Sequence, residues 1–161
     1  MAGTRGGEFL PGTDGRDVTI LRGIVSLTAG FLLVPLLMRV ALGAVLAVWP
    51  GLLGSGVEAP IHGLPTPPVA LMIVNLGLTV LVTGLAAAVT ALLAPDPPFL
   101  WVLSLAFLVF AGGLVFGVQQ IGGATPTWYL LAMPLVSGLA IVAGGYVYLG
   151  WRDHQEARRT T

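Results

Sequence analysis

A single arginine interrupts the first long apolar run of this sequence. Arg39 sits in the stretch LVPLLMRVALG, and no other charged residue lies between Arg22 and Glu58. A charge is costly to hold in apolar surroundings, so an ionisable group there marks a functional position by default. The chemistry on offer is a contact to an anionic lipid head group or to a substrate carboxylate. The plainer reading is that the stem lies in lipid while the guanidinium snorkels to an interface. No other apolar run contains an acidic residue that could pair with it.

A second candidate is uncharged. Asn75, Thr79, Thr83 and Thr90 recur in the run from Val69 to Ala94 and share one helical face with Ala86. Such a stripe can line a polar path. It can equally make hydrogen bonds between helices, or bond back to its own helix. Glu58 and His62 share a loop. Two ligands fall short of the three or four that zinc requires, and the only other histidine is His154. No metal or cofactor is therefore expected. Cysteine is absent, which excludes thiolate catalysis, disulfides and iron–sulfur ligation. There is no GxSxG or HExxH motif, and the glycine pairs open no phosphate-binding turn. An enzyme is not expected, because general acid–base work needs positioned titrating groups.

The remaining signal is small residues. Gly113 and Gly117 have GxxxG spacing in GLVFG, and Gly138 and Gly144 recur near the end of the chain. In the run with Asn75, residues Ala70, Gly77, Gly84, Ala88 and Ala91 fall roughly opposite the threonines. Small residues let helix backbones approach closely. A helix with packing positions on two sides belongs in the middle of a bundle.

The elements that position these residues follow from composition. Hydrophobic residues make up 56% of the 161 and charged residues 9%, against about 25% charged in an average soluble domain. Mean hydropathy is +0.94. The formal net charge is zero, so no nucleic-acid partner is expected. The pattern is that of an all-α integral membrane protein, a bundle of four transmembrane helices. The expected spans are residues 23–49, 69–94, 99–118 and 127–150, within a transmembrane domain covering 18–150. Residues 1–17 and 151–161 are polar tails.

The first apolar run, Val18 to Trp49, is too long for one straight crossing of a core about 30 Å thick. Pro35 is expected to kink it. Thr19, Arg22, Gly23, Ser26 and Gly30 share one face of its first half. That face reads either as an interfacial amphipathic segment or as a packing seam in which Gly23, Ser26 and Gly30 meet a neighbour. Residues 50–68 hold five prolines and four glycines, too many for a regular element. A Pro-rich turn, Ala94-Pro95-Asp96-Pro97-Pro98, and a short Gln119-Gln120 loop make the other connections.

Arginines set the orientation. Arg5, Arg16 and Arg22 precede the first span, Arg152, Arg158 and Arg159 follow the last, and the connecting loops have none. The positive-inside rule then places both termini in the cytoplasm, which four spans allow. Trp49 and Trp128-Tyr129 would mark the outer interface, and Trp101 with Tyr148 and Trp151 the inner one. The run LMRVALG is similar to the start of DoxX-type small four-span membrane proteins. The charged positions expected further along in that group are missing here, and no property is carried over.

The expected role is an accessory, assembly or scaffold subunit of the plasma membrane, packing against the lipid bilayer, other membrane subunits or a second copy. The alternative is a small oligomeric transporter, channel or lipid-binding protein using Arg39 with Asn75, Thr79 and Thr83. Its distinguishing feature would be a cavity shared by Arg39 and Asn75.

Overall fold

The computed structural model describes residues 15–49, 69–121, 123 and 125–159. These form four α-helices and, among the described residues, no strand. They are α1 (Gly15–Val48), α2 (Val69–Leu93), α3 (Pro98–Gln119) and α4 (Thr127–Arg159). Each is long and apolar enough to cross a membrane. At 34 residues α1 is about 51 Å long. Glu58 and His62 lie outside the described residues.

Local chemistry sets the helix ends. Asp17 falls in the first turn of α1, where a carboxylate favours the positive end of the helix dipole. The chain therefore turns helical by Gly15, before the expected end of the polar tail. Pro98 opens α3, a position where its missing N–H and fixed φ cost nothing. Gln120 closes α3, its N–H donating to the Gly117 carbonyl while the Ile121 N–H donates to that of Val118. The carbonyl of Pro126 accepts from Tyr129 and Leu130 N–H at the start of α4. Pro35 and Pro134 lie inside α1 and α4, and neither ends its helix.

The last span was expected to stop near Gly150, yet α4 runs on to Arg159 as one helix. The extension WRDHQEARR holds good helix formers and no Gly or Pro. Arg152 faces Glu156 one turn on, at 3.7 Å. Arg158 and Arg159 occupy the last turn, where cations suit the dipole.

Both α2 and α3 touch all three other helices, whereas α1 and α4 do not touch each other. The central place expected for α2 is the one it occupies. The core joins α2, α3 and α4 through Ala87, Ala91, Val102, Leu105, Ala106 and Ile141. Close approach depends on glycine. A Cβ on Gly144 would stand 2.7 Å from the Gly84 Cα and carbonyl oxygen, so α2 and α4 cross there backbone to backbone. A Cβ on Gly113 would meet Pro134 at 2.9 Å, and one on Gly117 the Leu130 carbonyl oxygen at 3.1 Å. Gly138 faces Phe110 at ordinary contact distance.

Gly77 departs from this pattern. It is exposed, with nothing within 4 Å of where a Cβ would be. The stripe opposite the threonines is buried at Ala91, half-buried at Gly84 and Ala88, and exposed at Gly77 and Ala70. Crossing helices meet over only part of their length, so a stripe packs near the crossing and emerges beyond it.

The first half of α1 is a packing seam. Gly23, Ser26 and Gly30 are buried. The ring of Trp101 lies where a Gly23 side chain would be, and the Thr90 hydroxyl where a Gly30 side chain would be. Trp101, expected as an interfacial marker, is thus also a packing residue. From Phe31 to Trp49 no residue of α1 is buried.

Candidate functional site

The hydroxyls of the α2 stripe are already engaged. Thr79 donates to the Asn75 carbonyl at 2.8 Å, Thr83 to Thr79 at 2.6 Å and Thr90 to Ala86 at 2.9 Å. On α4, Ser137 donates to Met133 at 2.7 Å. Ser26 donates to Gly23 at 2.8 Å. Each of these bonds stays within its own helix, and Thr79 Oγ1 lies in addition 3.6 Å from Met133 Sδ on α4. A buried hydroxyl turned back on its own backbone keeps its only proton there. The stripe therefore offers no row of free donors to a passing solute.

Asn75 reaches further. Its Nδ2 donates to the Tyr129 hydroxyl, joining α2 to α4. Such bonds between helices contribute roughly 0.6 kcal/mol on average in membrane proteins. Both residues line a cavity of about 320 Å³ with Val109, Gly113, Phe116 and Ser137. From the sequence Tyr129 is expected only as an interfacial aromatic. The signal for its second role is weak, because a sequence does not align positions 54 residues apart.

Arg39 does not line that cavity. It is exposed on α1, and none of the ion pairs that Arg152 makes with Asp96, Asp153 and Glu156 involves it. Its depth follows from the α1–α3 register. Gly23 meets Trp101, and Phe31 shares a groove with Leu108. Continuing in step, Arg39 stands level with Phe116 and Gly117, about one turn inside the end of α3. Gly117 packs on Leu130, so this is also the level of Trp128 and Tyr129.

A groove opens between α1 and α3. It measures about 530 Å³ and is lined by Phe31, Val34, Pro35, Leu108, Gly112 and Phe116 among others. An adjoining hollow of about 240 Å³ extends it past Leu27, Thr28 and Leu32.

The opposite end of the bundle is tied by arginines. Arg22 Nε donates to the Leu93 carbonyl at 3.0 Å, satisfying an orphan acceptor at the C-terminus of α2. This role was not foreseen, since Arg22 lies 71 positions from Leu93. Arg152 sits 4.0 Å from Asp96 in the α2–α3 turn and 3.8 Å from Asp153. Exposed pairs at such distances contribute little each. They do place the start of α1, the α2–α3 turn and the end of α4 at one end of the bundle. The Tyr148 and Trp151 rings lie there too, 6.2 Å apart. At the other end Trp128 stands edge-on to Tyr129 at 5.7 Å.

No cluster of three or more metal-ligating His, Asp or Glu side chains occurs among the described residues. Comparison with protein-family models, curated proteins and solved structures found no match to this chain.

Proposed function

We propose that this is a non-enzymatic accessory or assembly subunit of the plasma membrane, crossing it four times with both termini in the cytoplasm. It acts through contact with lipid and with other membrane helices. The observation that carries this reading is the asymmetry of α1. Its first half is seated on α2 and α3 by Gly23, Ser26 and Gly30, while from Phe31 onward no residue is buried. Gly113 and Gly117 of α3 and Gly138, Gly144 and Gly145 of α4, by contrast, are occupied within the chain. An external helix therefore has α1 to pack on, where Gly43 has open space around it, rather than the GxxxG face of α3.

A conduit is the weaker reading. The cavity holding Asn75 lacks Arg39, and the hydroxyls beside it are internally bonded.

Photo-crosslinking in native membranes, followed by mild detergent extraction, tests the proposal. A crosslinker at Leu36 or Ala44 on α1 is expected to give a discrete covalent adduct with another subunit or a second copy. A crosslinker at Leu139 on α4, 71% exposed, is expected to give lipid adducts only. Uncrosslinked monomer from all three positions would remove the support for a partner on α1.

A further inference from the structure

We infer that the α1–α3 groove holds one acyl chain of an anionic phospholipid, with the Arg39 guanidinium on its phosphate. The inference rests on the bundle lying in a bilayer and needs no protein partner. Three observations carry it.

The first is position along α1. Arg39 follows Pro35 by four residues, so the two lie one above the other on the same face. Pro35 and Phe31 line the groove. A helical side chain covers the turn N-terminal to its own Cα, so the Arg39 stem leans toward the groove mouth.

The second is length. The α1 residues that line the two hollows run from Pro35 down to Leu27, and Arg39 stands one turn beyond Pro35; Arg39 and Leu27 are twelve residues apart. Those twelve residues span about 18 Å of helix. Half of a hydrocarbon core of about 30 Å is about 15 Å. The lined part, Leu27 to Pro35, is about 12 Å long; with the turn up to Arg39, which stands at the level of the aromatic belt of Trp128, the run matches one leaflet. A lipid anchored at that belt would lay its chain along it, with the phosphate just outside.

The third is charge. Arg39 is exposed, and no described carboxylate pairs with it. A guanidinium presents several N–H donors in a fork that matches phosphate oxygens. Below it the lining is almost wholly hydrocarbon. Gly112 keeps the wall open, since nothing lies within 4 Å of where its Cβ would be.

The test uses full-length protein delipidated in non-ionic detergent and titrated with phosphatidylglycerol or phosphatidylcholine of identical chains. Native mass spectrometry reads the bound lipid. One charge-assisted contact predicts about a tenfold preference for phosphatidylglycerol. Arg39→Gln should abolish the preference while leaving residual binding of both lipids. Gly112→Leu should reduce retention of both, with helix content unchanged in circular dichroism. Millimolar inorganic phosphate should not displace the lipid. Equal binding of the two lipids by the wild type, an unchanged preference in Arg39→Gln, or displacement by phosphate alone would each overturn the site. A chain that stays in solution without detergent would overturn the membrane reading as well, which separates the two failures.

Discussion

Gly144→Val is expected to destabilise the bundle by about 3 kcal/mol, the upper end of overpacking costs. A β-carbon there would stand 2.7 Å from Gly84 Cα and from the Gly84 carbonyl oxygen. Backbone cannot swing aside as a side-chain tip can, so α2 and α4 must separate. Separation also pulls apart Asn75 and Tyr129, which bridge the same two helices. Gly77→Val is the matched control. It lies on the same helix as Gly84 with open space around it, and its effect should stay within about 0.5 kcal/mol. Reversible unfolding in mixed micelles, followed by circular dichroism, measures both. Equal costs at the two positions would mean that α2 and α4 do not cross at Gly84 and Gly144.

Ile141→Ala should be the next most damaging change, at about 2 kcal/mol or more. Ile141 is fully buried among Ala87, Ala91, Val102, Leu105 and Ala106. Its neighbours are small alanines, a valine and a leucine on two other helices, which cannot easily collapse into the space left. In lipid the loss comes from forfeited dispersion contacts, since the surrounding tails are themselves apolar. Leu139, two residues earlier and 71% exposed, faces away from this cluster. Leu139→Ala should change stability by no more than about 0.5 kcal/mol. The same unfolding assay separates the two variants. A null result for Ile141→Ala would show that α4 does not close the core.

Element type and order were legible because long charge-free runs broken by Pro and Gly carry a strong signal. The run from Val69 to Ala94 was read as one helix and is one, ending at Leu93. The packing seam of α1 was legible as one of two alternatives, because Gly23, Ser26 and Gly30 recur at helical spacing. What decided between them was Trp101, a contact across 78 positions that no local pattern encodes. The small-residue signal on α2 misled at Gly77, because spacing marks a face without saying where along it a neighbour crosses. Helix four outran its apolar stretch because hydropathy tracks lipid contact and not helical propensity. Residues 151–159 have the second without the first.

The candidate sites were less legible than the fold. Asn75 and the threonines look alike as a stripe, yet Asn75 donates across to the Tyr129 hydroxyl on α4, while Thr79 reaches α4 only at the Met133 sulfur, 3.6 Å away. Thr hydroxyls are short and find their own carbonyls first. For Arg39 the residue type was visible and its depth was not. Depth came from the α1–α3 register, a property of the folded chain.

The account as a whole depends on four crossings that bring the beginning of α1 and the end of α4 to one side of a membrane. Single-cysteine labelling with an impermeant maleimide in sealed right-side-out vesicles tests this directly, because the native chain has no thiol to interfere. Asp17→Cys and Glu156→Cys should both stay unlabelled until the vesicles are opened, while Gln120→Cys should react at once. Labelling of positions 17 and 156 from opposite sides, or of position 120 only after opening, would contradict the four-span arrangement.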